Sequence, residues 1–242
     1  MLQFPRAIFV TGTDTGIGKT MVSAALCAGL RASYWKPVQS GLDSETDRQC
    51  VRRLSGLPAD NFFPESYKLT QPLSPHASAA IDGVTIELEQ MRLPTFTQSH
   101  LIVEGAGGLM VPLNERHLMI DLIQQLNIPV IVVARSGLGT INHTLLTVEK
   151  LREREVEIFG VVMNGEPNPG NRRALEYYGR VQVLAEIPPL GELTSAKVEQ
   201  AFSYFEAQGE QQNQRSSGSG LSDLAPLHPD ENSRTSATSQ VS

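Results

Sequence analysis

Cysteine is nearly absent from this chain of 242 residues, which contains only Cys27 and Cys50. Two separated thiols are too few for a disulfide framework or a zinc site, so we expect both to be reduced. Long hydrophobic runs are also missing, since no stretch approaches the roughly 20 apolar residues that span a bilayer. The first residues lack the basic and apolar regions of a signal peptide. We therefore expect a cytoplasmic protein with no membrane partner.

Positive charge is not concentrated in any part of the sequence. The net charge is −6, and Lys and Arg are dispersed along the chain rather than gathered in a basic stripe. Because binding to nucleic acid relies on clustered Lys and Arg, we expect no nucleic-acid partner. From residue 209 onward large apolar residues are scarce, and Gln, Ser, Asn, Gly, Thr and Pro dominate. We predict one domain over residues 1–208 and a disordered tail over residues 209–242.

Short apolar runs typical of strands alternate with segments of helical periodicity. The apolar runs cover residues 7–11, 33–38, 100–104, 130–134, 159–164 and 181–187. The helical patterns cover residues 19–31, 118–126, 141–154, 172–179 and 194–206. This alternation predicts an α/β fold, a doubly wound and mostly parallel sheet with helices on both faces. Ligands bind such sheets at the carboxyl ends of the strands, so polar residues just after each run are candidates.

A glycine-rich loop follows the first apolar run and leads into a helical segment. It reads Gly12-Thr13-Asp14-Thr15-Gly16-Ile17-Gly18-Lys19-Thr20. The amides of such a loop and the positive end of the helix hold phosphate oxygens, its Lys reaches the terminal phosphates, and its Thr can bind Mg²⁺. The strict pattern G-x-x-x-x-G-K-[ST] requires Gly where this chain has Thr13. The Gly-Lys-Thr end nevertheless predicts a P-loop for a nucleoside triphosphate, with a purely structural glycine turn as the alternative.

Two groups of polar residues follow the second apolar run. Lys36 and Ser40 lie at its end, next to the phosphate loop in the expected sheet, where a second cation would be useful. A solvated Lys before a turn is the simpler interpretation. The acidic segment 43–47 opens a helix and could supply an oxygen ligand for Mg²⁺. Its alternative role is capping of that helix.

The third apolar run ends in Glu104-Gly105-Ala106-Gly107-Gly108. It resembles a Walker B strand, in which a carboxylate at the tip of a buried strand holds Mg²⁺ beside the phosphate loop. The glycines that follow allow the backbone to approach a ligand closely. Together with the phosphate loop, this run predicts a site for a nucleotide and a metal ion.

Two later strand ends carry further candidates. A glycine-rich turn over residues 136–144 enters a helix, and its amides could bind a carboxylate. His143 in this turn could be a base, although a His near a helix start is ordinarily packed or solvated. Asn164 ends the next run, and its amide offers the donor and the acceptor that match the edge of adenine. Its alternative role is to stabilise the turn with Gly165.

In combination, these motifs resemble the dethiobiotin synthetase family over about residues 6–200. The resemblance is carried, in order, by Gly12-Thr13-Asp14-Thr15, Gly18-Lys19-Thr20, Lys36-Pro37-Val38, Ser40-Gly41, Ser74-Pro75-His76, Val103-Glu104-Gly105-Ala106-Gly107-Gly108 and Ile141-Asn142-His143. It implies a ligase that makes dethiobiotin from 7,8-diaminopelargonic acid, carbon dioxide and MgATP. A carbamate and then a carbamoyl phosphate would precede closure of the ureido ring. The resemblance implies no biotin prosthetic group.

The resemblance also implies roles for residues around the nucleotide. Lys19 and Lys36 would be catalytic. The metal ligands would be Thr20, Asp47 and Glu104, with Glu45 as the competing carboxylate for Asp47. The nucleotide contacts would be Asp14, Gly16, Ile17, Gly18, Lys19, Thr20, Asp47, Glu104, Asn164, Pro188, Pro189 and Leu190.

A homodimer with the substrate site at the subunit interface is a further implication of the resemblance. One subunit would contact the substrate through Thr15, Ser40 and Gly107. The neighbouring subunit would hold the substrate carboxylate through Gly139, Thr140 and Asn142, helped by a Tyr. Direct counting places Glu176 at the position of that Tyr, and we assign the role to Tyr177 rather than to Tyr178.

Two other classes of nucleotide-binding protein are the alternatives to this interpretation. An amidoligase of the cobyrinic acid type would need a glutaminase domain with a nucleophilic Cys, for which this chain is too short. A partition or septum-positioning ATPase would carry a second signature Lys early in the phosphate loop, where this chain has Asp14. It would also be expected to end in a basic amphipathic helix, which the sequence lacks.

Overall fold

The computed structural model describes residues 2–217, with the backbone alone described for residues 208–217. Its eight strands are β1 Ala7–Gly12, β2 Ser33–Trp35, β3 Val38–Ser40, β4 Tyr67–Leu69, β5 Leu101–Gly108, β6 Val130–Arg135, β7 Ile158–Asn164 and β8 Val183–Ile187. Six of them form one sheet in the order β2-β5-β1-β6-β7-β8, and every neighbouring pair is parallel. β3 and β4 form a separate parallel pair. The predicted α/β fold with a mostly parallel sheet is confirmed.

Seven α-helices cover the two faces of the six-stranded sheet. They are α1 Lys19–Leu30, α2 Asp47–Ser55, α3 Pro75–Asp82, α4 Met119–Leu126, α5 Thr140–Glu153, α6 Pro169–Gly179 and α7 Ser195–Ser217. Helices α1, α2 and α7 pack on one face, and α3 to α6 pack on the other. Within residues 2–217, none of these helices is long and apolar enough to cross a membrane.

The central strand β1 shows how both faces are filled. Ile8 and Val10 point into the core beneath α1, whereas Phe9 points into the opposite core beneath α4, and all three are fully buried. Burial of one such side chain contributes about 1.5–3 kcal/mol. Because helices cover both faces, the strands appear in the sequence as continuous apolar runs rather than as alternating ones.

The structure departs from the sequence prediction in the second apolar run. The strand predicted over residues 33–38 is divided into β2 and β3, which belong to different sheets. The division falls at Pro37, which has no N–H to donate to a strand ladder. Lys36 is consequently the first residue after β2, at its carboxyl end.

Several elements were not predicted, or were predicted with different bounds. β4 and α3 lie in a segment where the sequence pattern predicts no element. A strand of 3 residues and a helix of 8 residues are too short to show a clear periodicity. α6 begins at Pro169 and not at residue 172, because Asn168 caps it and Pro is favoured in a first turn. α7 continues past the boundary predicted at residue 208. The rest of the predicted tail, residues 218–242, lies outside the described residues.

Candidate active site

The phosphate loop connects β1 to α1 and is braced by the end of β7. Gly18 caps α1 in the left-handed conformation, with φ of 99°. A Cβ at this position would lie 2.3 Å from Nδ2 of Asn164. The same Asn164 amide donates a hydrogen bond of 2.8 Å to the Ile17 carbonyl. Glycine is therefore required at residue 18 both for the backbone conformation and for the close approach of Asn164.

Two charged side chains interact with the first half of the loop. Nζ of Lys19 donates a hydrogen bond of 2.9 Å to the Asp14 carbonyl. The Asp14 carboxylate accepts from the backbone N–H of Thr15 at 2.7 Å and forms an ion pair of 2.9 Å with Nη2 of Arg135. Arg135 is the last residue of β6, so the ends of two different strands hold the loop.

An acidic cluster lies beside the loop, where Lys36 follows the end of β2 and Glu104 lies midway along β5. The hydroxyl of Thr20 is 3.0 Å from Oδ1 of Asp47 and 2.9 Å from Oε1 of Glu104. Nζ of Lys36 lies between the same carboxylates, 2.5 Å from Oδ2 of Asp47 and 3.1 Å from Oε1 of Glu104. Lys36 also donates to the Gly105 carbonyl at 3.3 Å. One ammonium group thus links two carboxylates that the sequence places 57 residues apart.

The environment favours the charged forms of Lys36 and Asp47. Burial would lower the pKa of Lys36, but the charges of Glu104 and Asp47 outweigh it and hold that pKa above its ordinary value. Burial would raise the pKa of Asp47, but the nearby Lys36 ammonium lowers it instead. For Lys19, burial and then the Lys36 charge lower the pKa, partly opposed by Glu104 and Asp47. Lys36 and Asp47 therefore face each other in their charged forms beside the phosphate loop.

The structure gives different surroundings to Glu45 and Asp47, the two competing carboxylates between which the sequence did not decide. Glu45 is exposed and forms a bidentate pair with Arg53, with both contacts at 2.8 Å. Asp47 instead is the first residue of α2 and turns toward Thr20 and Lys36. Gln39 holds this helix start in place, since its Oε1 accepts from the Asp47 backbone N–H at 3.2 Å.

A cleft of about 790 Å³ opens over the loop and the acidic cluster. Ten of the residues singled out from the sequence line it: Thr15, Gly16, Gly18, Lys19, Thr20, Lys36, Ser40, Asp47, Glu104 and Gly107. The Ser40 hydroxyl is buried and has no hydrogen-bond partner among the described residues. A buried hydroxyl without a partner is costly, so this group is available to a ligand.

The other residues to which the resemblance assigns a role lie outside this cleft, whereas Ser74, Pro75 and Ala106 of the motifs also line it. Asp14 and Ile17 belong to the loop but do not line the cleft, and Asn164 approaches the loop from β7. The remaining ones are Gly139, Thr140, Asn142, Tyr177, Pro188, Pro189 and Leu190, which the described cleft does not include.

The residues assigned to a neighbouring subunit lie at the start of α5 and on α6, two helices that pack together. Gly139 and Asn142 are exposed, and the Tyr177 side chain is 58% exposed. Thr140 differs, since it is 1% exposed and its hydroxyl interacts with that of Thr144 at 3.3 Å. The Thr140 side chain is therefore turned inward, away from the exposed Gly139 and Asn142.

Two residues of the site were missed by sequence reasoning. Gln39 lines the cleft and positions Asp47, and the Tyr34 hydroxyl donates to Oε2 of Glu104 at 3.0 Å. Strand alternation offered a signal for Tyr34, because residues two apart share a face and Tyr34 stands two before Lys36. Gln39 gave no such signal, since its role depends on where α2 begins.

The chemistry of the cluster fits Mg²⁺. Among residues 2–217 there is no group of three or more His, Cys, Asp or Glu side chains arranged for a metal ion. Mg²⁺ does not need one, because it is commonly bound by one or two carboxylates together with phosphates and water. Thr20, Asp47 and Glu104 offer hard oxygen atoms of this kind at the mouth of the phosphate loop.

The fold and this site define a P-loop nucleotide-binding protein of the α/β class. The solved structure of the septum site-determining protein MinD complexed with Mg-ADP, from Pyrococcus horikoshii OT3, is similar with a TM-score of 0.55. It is 14% identical, and the match covers 86% of this chain and 97% of that one. At this identity the likeness concerns the fold alone.

Sequence comparison places the chain within this class. A model described as an AAA domain matches residues 6–197. The ATP-dependent dethiobiotin synthetase BioD of Paramagnetospirillum magneticum is 54% identical, over 80% of this chain and 93% of the relative. The same enzyme of Bradyrhizobium diazoefficiens is 50% identical, over 81% of this chain and 93% of the relative. The chain belongs to the ATP-dependent dethiobiotin synthetase family.

Proposed function

We propose that this protein is an ATP-dependent ligase that forms dethiobiotin from 7,8-diaminopelargonic acid, carbon dioxide and ATP. Membership of the family supports this activity, and the observation that carries it is the pairing of two cations in one cleft. Lys19 belongs to the phosphate loop, and Lys36 lines the same cleft together with Ser40, whose hydroxyl has no partner among the described residues. Two separate anions, a triphosphate and a carbamate, can therefore be held side by side.

The reaction has three steps. One amine of the substrate attacks carbon dioxide, and loss of a proton leaves a carbamate. A carbamate oxygen then takes the γ-phosphoryl group of ATP, which releases ADP and gives a mixed carbamic-phosphoric anhydride. The second amine attacks its carbonyl carbon, phosphate leaves with the C–O bonding pair, and loss of a proton yields the cyclic urea. No biotin prosthetic group takes part.

The protein's own residues contribute orientation and charge. Amides of residues 15–20 and Lys19 hold the triphosphate, as in other phosphate loops. Lys36 keeps its positive charge beside the position of the carbamate and stabilises the charge that develops during phosphoryl transfer. Thr15, Ser40 and Gly107 line the cleft on the substrate side. Asn164, with the segment formed by Pro188, Pro189 and Leu190, contacts the adenine.

Mg²⁺ is the proposed cofactor, held by Thr20, Asp47 and Glu104. When bound, it neutralises charge on the phosphates and so favours phosphoryl transfer. The contacts of the Thr20 hydroxyl with both carboxylates support this assignment, because they bring three oxygen ligands together. An ATP-consuming enzyme with two free thiols also fits a reducing cytoplasm.

A homodimer with shared sites is the proposed assembly. Gly139, Thr140 and Asn142 lie outside the cleft, as does the exposed Tyr177, so they would act on the substrate carboxylate of the neighbouring subunit. Subunit mixing tests this arrangement. The variants Lys36→Gln and Asn142→Ala would each be inactive, but a mixed dimer would retain one intact site. Equal mixing should therefore restore about a quarter of the normal activity, whereas no recovery would show that each site belongs to a single subunit.

The decisive experiment for the activity is an assay of ADP release by the purified protein with MgATP and bicarbonate. We expect ADP release to depend on 7,8-diaminopelargonic acid and to be matched by dethiobiotin detected by mass spectrometry. ATP hydrolysis that is independent of the diamine would overturn the proposal and favour a nucleotide switch. Product formation that requires ammonia or glutamine would favour an amidoligase.

A further inference from the structure

Tyr34 is a buried tyrosine whose hydroxyl reaches the acidic cluster from behind. Its side chain is 0% exposed, and it lies on β2 opposite Ile102 of the neighbouring strand β5. The hydroxyl donates a hydrogen bond of 3.0 Å to Oε2 of Glu104. Glu104 lines the cleft whereas Tyr34 does not. Tyr34 therefore contacts the far side of a carboxylate whose near side faces the cleft.

The two oxygens of Glu104 have different partners. Oε1 accepts from the Thr20 hydroxyl at 2.9 Å and from Lys36 at 3.1 Å. Oε2 accepts from Tyr34. The last torsion of a Glu side chain has a broad preference, so the carboxylate plane is not fixed by the side chain itself. The Tyr34 hydroxyl supplies the restraint that keeps Oε1 turned toward Thr20 and Lys36.

We propose that Tyr34 is a positioning residue for the ligase reaction, and that it acts by fixing the carboxylate of Glu104 where the divalent cation and Lys36 need it. This inference rests on the proposed function and extends it to a residue outside the cleft. Outer partners of metal-binding carboxylates typically change metal affinity by about 10–100-fold when they are removed.

The protonation state of Tyr34 suits this role. Burial, and next the charge of Glu104, raise the pKa of the hydroxyl well above its ordinary value. This shift favours the protonated hydroxyl, which is the form that donates to Glu104. Its ring packs against Phe62, with centroids 6.0 Å apart, so the hydroxyl is held by a rigid core.

Tyr34→Phe tests the proposal because it removes one oxygen and leaves the ring in place. Tyr67→Phe is the matched control, since Tyr67 is also buried and its hydroxyl accepts from the Glu87 backbone N–H at 2.9 Å, away from the cluster. Both variants lose a buried hydrogen bond, so both melting temperatures should fall by a similar amount. Circular dichroism checks that both variants fold.

The informative measurement is the Mg²⁺ dependence of ADP binding, followed by calorimetry at a series of Mg²⁺ concentrations. For Tyr34→Phe we expect the half-saturating Mg²⁺ concentration to rise roughly 10-fold, with a parallel rise in the assay of turnover. For Tyr67→Phe we expect a change of less than about twofold. An unchanged Mg²⁺ dependence in Tyr34→Phe would overturn the proposal and leave Tyr34 as a core residue.

A second variant tests whether the effect passes through Glu104. In a Glu104→Gln background, Tyr34→Phe should have no further effect on the Mg²⁺ dependence of ADP binding. A full effect in that background would also overturn the proposal. Failure of the proposed function is recognised separately, because the unmodified protein would then form no dethiobiotin, while the binding measurement would still report on Tyr34.

Discussion

Lys36 and Glu104 form an ion pair of 3.1 Å because the residues that directly precede them lie opposite each other on neighbouring strands. Trp35 of β2 lies opposite Val103 of β5, so the next residues, Lys36 and Glu104, lie at the same level along the two strands. Sheet register, and not proximity in sequence, therefore brings together the ammonium group and the carboxylate.

Replacing Lys36 should separate catalysis from nucleotide binding. We expect Lys36→Gln to lower kcat by roughly 100-fold or more, because it removes the positive charge from the carbamate side of the cleft. MgATP should still bind, since the phosphate loop and Lys19 are unchanged. The control is Lys197→Gln, at an exposed position on α7. Turnover equal to that of the unmodified protein would remove Lys36 from the mechanism.

The two carboxylates near the start of α2 should behave differently. Asp47→Asn should reduce activity at limiting Mg²⁺ by roughly 10–100-fold, because it removes a charged oxygen from the cluster. Glu45→Gln should have an effect of less than about twofold, since it breaks only an exposed ion pair with Arg53. A Mg²⁺ titration of activity in both variants decides the question, and the reverse order of effects would contradict the assignment.

The position of Asp47 illustrates how far sequence reasoning reaches. The phosphate loop, Lys36 and Glu104 could be placed because each lies at or near the end of an apolar run, and the carboxyl ends of parallel strands converge at one edge of the sheet. Asp47 could not be separated from Glu45 in this way, since the choice depends on where α2 begins and on the contact of its first backbone N–H with Gln39. Tyr34 was missed because its contribution comes from a side chain within the core.

The two thiols should differ in their reaction with alkylating reagents. Burial, and next the charge of Glu104, raise the pKa of Cys27 well above its ordinary value, whereas Cys50 is only partly buried. At about pH 8 the folded protein should therefore react at one thiol and the unfolded protein at both. Mass spectrometry of the alkylated protein measures this number, and rapid labelling of Cys27 in the folded state would contradict the prediction.

Cys27 should also make stability depend on alkaline pH. Its folded pKa lies above the unfolded value of about 8.5, so its contribution is fully present below that pH. The contribution is then lost progressively as pH rises toward the folded pKa. Chemical denaturation between about pH 7 and pH 10 should show a smaller alkaline loss for Cys27→Ala than for the unmodified protein, and equal losses would contradict the prediction.

Close packing between the first and last helices should make Gly29 intolerant of a side chain. A Cβ there would lie 2.1 Å from the Phe202 ring of α7. Gly29→Ala should therefore lower the free energy of unfolding by about 1–3 kcal/mol. Gly170→Ala is the control, because its nearest contact would be 3.4 Å and helices favour Ala over Gly. In thermal melts, the melting temperature of Gly29→Ala should fall, whereas that of Gly170→Ala should rise or stay the same.

Shortening the chain should have an effect that depends on where α7 is cut. Removal of residues 212–242 should leave activity and melting temperature nearly unchanged, because few large apolar side chains are lost. Removal of residues 200–242 should prevent folding, since it also removes Phe205, which is fully buried in the core beside α1. A large loss from the shorter deletion would show that the predicted tail packs against the domain.

The central position of β1 has a consequence for synthesis of the protein. β1 is the first strand to be made, yet its two neighbours in the sheet are β5 and β6. β6 begins at Val130, well over one hundred residues after the phosphate loop. At about 5–20 residues per second, a ribosome needs roughly 6–24 s to make the intervening chain. Both edges of β1 are unpaired until β5 has been made, and the edge that pairs with β6 stays unpaired for the whole interval, so the nascent chain is open to chaperones and to aggregation before it can bind a nucleotide.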